Sequence, residues 1–127
     1  MVFAGGCVGG WARYVLTRAW SAPERAFPSA ILTANLAGAF LLGAVVVLAA
    51  QLQSRYLRPL VGTGFCGALT TFSAVVVAVA RLLSLGRPAT AVGYLCATIA
   101  GGLLAAYAGV VTGRLLLGRR QSREGSA

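Results

Sequence analysis

Four apolar runs, joined by short loops that carry arginine and proline, make up nearly the whole of this chain. They fall at residues 1–20, 29–51, 60–80 and 89–117. The second is the plainest: at ~1.5 Å rise per residue its helix reaches roughly 34 Å, enough to cross a hydrocarbon core of about 30 Å. A chain of 127 residues with 58% hydrophobic content is too short to hide that surface in a water-soluble core. The pattern predicts an all-α integral membrane protein with four transmembrane helices. These form one domain over residues 1–117, followed by a polar, basic tail at residues 118–127 that is expected to fray. The first run is read as a retained helix and not a cleavable leader, since it is rich in glycine, carries Arg13 and lacks a basic n-region.

The third run constrains function most. Gly62-Thr63-Gly64-Phe65-Cys66-Gly67-Ala68-Leu69-Thr70-Thr71-Phe72-Ser73 places glycines and adjacent threonines where a lipid-facing helix would carry leucine. In hydrocarbon every backbone N–H and C=O needs a partner, so irregular backbone persists only where it is buried in protein or lines an aqueous path. A broken third helix is therefore expected, and with it a site for an ion or small solute built partly from main chain. Carbonyls released near Gly67 and Thr70 form a negative end suited to a cation. Gly67 is expected to sit where a β-branched side chain would crowd the break.

Charge narrows the function classes. The net charge of +9 comes from eleven arginines and no lysine, set against two acids, Glu24 and Glu124. The arginines stand at the ends of apolar runs, at headgroup level, and no reading module for nucleic acid is present. Leaving out Arg13, four crossings put both termini on one side, with Arg55, Arg58, Arg114, Arg119, Arg120 and Arg123; Arg18, Arg25, Arg81 and Arg87 fall on the other. Six against four is a weak asymmetry, compatible with insertion both ways round and antiparallel pairing. The two halves show no repeat, so any symmetry comes from a second chain. Cys7, Cys66 and Cys96 are odd in number, form no C-x-x-C and lie in apolar runs, which reads as small buried hydrophobes.

Enzyme chemistry is excluded by the inventory: no histidine, no nucleophile–base pair, no carboxylate pair and no nucleotide loop. No Asp or Glu lies within the four runs, which removes the usual intramembrane proton relay. Passive conduction by an oligomer is the simpler inference. Embedded polar groups comprise Arg13, Asn35, hydroxyls and rings. Asn35 reads either as an interhelical clasp or as a pore-lining donor. Arg13 reads either as a functional cation or as a side chain snorkelling to the interface. Asn35, Thr71, Ser73 and Tyr94 donate hydrogen bonds, ring edges carry positive partial charge, and no carboxylate ring attracts cations. Such a lining suits a small anion. Small residues at Gly5/Gly9, Gly6/Gly10 and Gly109/Gly113 have the spacing that lets helices approach closely.

Three motifs resemble the CrcB/Fluc family of bacterial fluoride channels. Gly5-Gly6-x-x-Gly9-Gly10-x-x-Arg13-Tyr14 is similar to its first-helix signature, PSAILTANLAGAFLLG at residues 28–43 to its second, and GFCGALTTFS at residues 64–73 to its third. The resemblance implies an antiparallel dual-topology dimer in the bacterial inner membrane, with two fluoride pores. It implies a sodium ion at the dimer centre, held by the main-chain carbonyls of Gly67 and Thr70. It implies that Asn35 faces the pore, that Phe72 offers fluoride a ring edge, and that Thr71, Ser73, Tyr94 and Thr98 line a polar track. Arg13 would serve the vestibule or stabilise the dimer. The family's second phenylalanine falls here at Val75, its neighbour at Ala74, and a further fourth-helix hydroxyl position at Gly102. This leaves open a homodimer with a modified pore, one half of a pair with a paralogous subunit, or a conduction-impaired partner. A small four-helix multidrug exporter and a non-conducting assembly subunit are the competing readings; the exporter lacks here its first-helix glutamate.

Overall fold

In a computed structural model, residues 1–20 and 27–124 are described, with side chains through residue 119. The sequence-read loop charges Glu24 and Arg25, and Pro23, lie outside the described residues. The described residues form five helical segments: α1 (Val2–Ala19), α2 (Ser29–Gln51), α3, α4 (Phe72–Ser84) and α5 (Pro88–Glu124). Helix α3 has two parts, a wide π-helical stretch over Arg58–Cys66 and a single α-helical turn over Gly67–Leu69.

Among the described residues, three segments are long and apolar enough to cross a membrane: α2, the α3–α4 stretch Arg58–Ser84, and α5 as far as Arg119. The first expected crossing also forms a helix, α1 over Val2–Ala19, and Arg13, Arg18 and its glycines make it less apolar than the other three. The tail differs from expectation. Helix α5 passes Leu117, where the apolar run stops, and continues to Glu124, because Arg, Gln and Glu are good helix formers.

Glycines set the helix contacts. Helices α2 and α5 lie side by side and run the same way: Gly101 meets Leu36, Gly109 meets the Phe40 carbonyl, and Gly113 lies against Ala44 and Val47. The approach is reciprocal, since a Cβ on Gly43 would strike the Ala106 carbonyl. On the other side, α1 presses Gly5 to the Leu60 carbonyl and Gly9 to the Phe65 carbonyl, while a Cβ on Gly64 would meet the Val2 carbonyl at 2.6 Å. The alternate pair behaves differently. A Cβ on Gly6 would find its nearest neighbour 4.0 Å away, and one on Gly10 would find nothing within 4 Å.

The turn from α4 into α5 is a Schellman closure. Gly86 takes φ +71°, its N–H reaches the Leu83 carbonyl at 3.0 Å, and the Arg87 N–H reaches Leu82 at 2.9 Å. Pro88 then opens α5 at the position where a missing N–H costs nothing. This reversal packs α4 on α5 around a core of Val75, Leu82, Ala91 and Tyr94, with Ile31 and Leu32 of α2 against it.

Candidate functional site

Between α3 and α4 the backbone leaves helical geometry for two residues. Thr70 takes φ −81°, ψ 149° and Thr71 takes φ −153°, ψ 119°, both extended. β-Branched residues tolerate this conformation well. Each polar group of the gap has a specific partner. The Thr71 N–H donates to Asn35 Oδ1 at 2.8 Å, and Asn35 Nδ2 donates to the Thr71 carbonyl at 3.3 Å. Thr71 Oγ1 accepts the Ala74 N–H at 3.3 Å, capping α4, and lies 3.1 Å from Ser73 Oγ. The Thr70 N–H and Oγ1 both donate to the Cys66 carbonyl, each at 2.9 Å.

Two carbonyls lose their helical donors in consequence. In a continuous helix the Thr71 N–H would serve Gly67 and the Ala74 N–H would serve Thr70. Both N–H groups are diverted, one to Asn35 and the other to the Thr71 hydroxyl. Gly67 itself is helical, with φ −63° and ψ −32°, and exposed. A Cβ there would meet nothing within 4 Å, so the expected crowding at Gly67 does not arise within one chain. Gly67 instead borders an open groove of about 450 Å³ between α1 and α3, with Val2, Phe3 and Gly64 among its walls.

Helix α2 positions the gap from the opposite side. Asn35 and Gly38 are three residues apart and share a face. Asn35 supplies the clasp, and Gly38 leaves room for Thr70, whose Cγ2 a Cβ would strike. The geometry shows Asn35 as an interhelical clasp. One of its two Nδ2 hydrogens and one Oδ1 lone pair remain beyond these bonds.

A second groove, about 390 Å³, brings Arg13 and Thr17 of α1 to Thr71 and Ser73, with Ala34 and Val77 among the apolar walls. Arg13 is half-buried, and no acidic residue is among those that line its groove. The Thr17 hydroxyl donates to the Arg13 carbonyl at 2.9 Å. This is a pocket of positive charge and hydroxyl groups with no carboxylate among its lining residues. Phe72, the first residue of α4, is 76% exposed on the outer surface of the chain.

The other sequence-read residues lie elsewhere. Tyr94 is fully buried, in contact with Val75 at 1% exposure, and the Phe27 ring stands edge-on to it at 5.4 Å and 79°. Its hydroxyl has no hydrogen-bond partner among the described residues. The Thr98 hydroxyl donates to the Tyr94 carbonyl one turn back, at 2.8 Å. Neither residue lines the Arg13 groove. Sequence reasoning missed Thr17 and Gly38. Each stands about one turn after a residue it did single out, Arg13 and Asn35.

The family described as CrcB-like protein, Camphor Resistance (CrcB), matches residues 1–110, which takes in α1 to α4 and most of α5. The chain belongs to the CrcB-like family. Among curated relatives, this CrcB-like chain is 40% identical over 121 residues to the fluoride-specific ion channel FluC of Chlorobium chlorochromatii, covering 93% of each. It is 42% identical to FluC 1 of Mycolicibacterium paratuberculosis, over 84% of this chain and 82% of that one. It is 38% identical to FluC 3 of Streptomyces avermitilis, covering 94% of this chain but spanning only 59% of the length of that relative.

Proposed function

We propose that this CrcB-like protein is a subunit of a fluoride channel of the bacterial cell membrane, releasing the anion passively from the cytoplasm. The observation that carries the reading is the two-residue gap held by Asn35, set beside Arg13, Thr71, Phe72 and Ser73, in a chain whose relatives are named fluoride-specific channels. A small, strongly hydrated anion needs replacement donors as it sheds water. Hydroxyls, the amide, ring edges and the N-terminus of α4 supply them as several weak sites, and weak sites permit rapid exit. The described residues of the groove include no acid to repel it.

The working assembly is an antiparallel dual-topology dimer. Phe72 stands largely bare on one chain, beside the hydroxyls of the gap, and a second copy crossing there would enclose it. The Gly67 and Thr70 carbonyls, relieved of their helical donors, fit a sodium ion in chemistry, since a hard cation takes neutral oxygen ligands. Two such oxygens are too few for one ion, so the site needs both chains. When bound, sodium would supply a fixed positive charge between the crossing segments. Val75 is buried against Tyr94 in this chain, so the ring that the family carries there is missing from the lining. That supports pairing with a paralogous subunit bearing the phenylalanine. The exporter reading is weaker, because α1 holds no glutamate to couple to protons.

The test is efflux from liposomes containing the protein, with and without its paralogue. Fluoride leaves, chloride is retained, and a proton gradient changes neither rate. Equal leakage of the two halides, or transport that requires the gradient, contradicts the reading.

A further inference from the structure

One end of the molecule gathers exposed arginines from two segments. Helices α2 and α5 run the same way, so the loop after Gln51 leaves at the end where α5 passes Leu117. Arg55 and Arg58 follow α2; Arg114 and Arg119 lie on α5, whose last turns also contain Arg120 and Arg123. The four with described side chains are exposed, and among the described residues none has an ion pair. The Arg55 guanidinium lies over the Tyr56 ring at 5.1 Å. Beside these arginines in the sequence are exposed Leu52, Tyr56, Leu115 and Leu116. At the opposite end Arg18, Arg81 and Arg87 are already engaged in other interactions.

Exposed guanidinium groups close in sequence to exposed leucines, in a chain that crosses a bilayer, match a surface that is charged at its head and apolar beneath. Arginine's planar fork pairs with phosphate through two parallel hydrogen bonds, and each such residue near the membrane strengthens the attraction to anionic lipid. A tyrosine beneath an arginine is the usual furniture of the headgroup layer. From this geometry we infer that the end formed by Arg55, Arg58, Arg114 and Arg119 is a docking surface for anionic phospholipid headgroups, of the phosphatidylglycerol type. It is independent of what the chain conducts.

The test uses the full chain in detergent, titrated with phosphatidylglycerol or phosphatidylcholine, with retained lipid read by native mass spectrometry. Phosphatidylglycerol is retained with a preference on the order of tenfold or more. Replacing all four residues, R55Q/R58Q/R114Q/R119Q, abolishes the preference, whereas R81Q/R87Q keeps it. Equal retention of both lipids by the native chain, or an unchanged preference in the fourfold variant, overturns the proposal. Should the fourfold variant fail to fold, the native chain still decides the matter: its preference must collapse as salt rises from ~0.05 to ~0.5 M, by screening of headgroup charge. A preference that ignores salt overturns it. Inorganic phosphate in place of lipid gives no thermal stabilisation; stabilisation equal to that by phosphatidylglycerol would mark an ion site and overturn the lipid assignment.

Discussion

Asn35 on α2 holds both backbone groups of Thr71, accepting its N–H at 2.8 Å and donating to its carbonyl at 3.3 Å across 36 residues of sequence. One amide thus replaces the two bonds that a neighbouring strand would make, and the chain can run extended for two residues inside an apolar bundle. Removing this amide should do more than empty a polar position. Asn35→Leu strands the Thr71 N–H and carbonyl, and the loss should be about 2–6 kcal/mol at ~1–3 kcal/mol per stranded group. Unfolding followed by circular dichroism in detergent measures it. A loss below ~0.5 kcal/mol would show that the clasp contributes nothing. Asn35→Asp keeps the acceptor but points a carboxylate at a carbonyl and at the anion route, so fluoride efflux should stop.

Gly67 separates contacts within the chain from contacts between chains. Its Cβ position is open in the single chain. Gly67→Val should therefore keep nearly native helix content, since even a β-branched residue is a better helix former than glycine. It should still convert dimer to monomer, as read by light scattering in detergent. If the variant remains dimeric, the carbonyls beside it do not meet a second copy.

Phe72→Ile should leave assembly intact and cut fluoride efflux at least tenfold, because it retains bulk on an exposed surface but removes the ring edge. Stopped-flow or electrode measurements on liposomes test this. Native efflux rates would take Phe72 out of the permeation route.

Tyr94→Phe removes a buried hydroxyl that lacks a partner among the described residues. Burying a hydroxyl without a hydrogen bond costs about 1–3 kcal/mol, so the variant should match or exceed the native stability. If efflux also falls while stability rises, the hydroxyl serves the permeating anion; if stability falls, an unseen partner holds it.

Gly109→Val and Gly102→Ala form a contrasting pair. The first drives a side chain into the Phe40 carbonyl at the α2–α5 contact and should abolish folding, whereas the second meets nothing within 4 Å. Gly102→Ala should gain a few tenths of a kcal/mol, up to about 1, from helix propensity. Expression and melting temperature in detergent distinguish them.

Much of this was legible in the residues. The second run shows its bounds directly, since Ser29–Gln51 is both the apolar stretch and the helix. The cluster of threonines beside glycines points to where the third segment leaves helical geometry, because nothing else in that run departs from lipid-facing composition. The clasp could be weighed but not chosen, for the partner of Asn35 lies on another helix and no local pattern names it. The phase of the α1 contact was likewise hidden. Gly5/Gly9 and Gly6/Gly10 have identical spacing, and only the position of α3 decides which pair is pressed against backbone. Gly67 misled for a related reason: glycine signals close approach, but not whether the neighbour belongs to the same molecule.

The gap at Thr70 and Thr71 has one further consequence. Helix α3 stops there with its carbonyl end, and α4 starts there with its amide end, so opposite partial charges stand two residues apart. Asn35, Thr70 and Thr71 arrange this polarity without any ionisable side chain. The segment therefore keeps the same electrical face toward either kind of ion through whatever acidification the cell meets, with nothing in it to titrate.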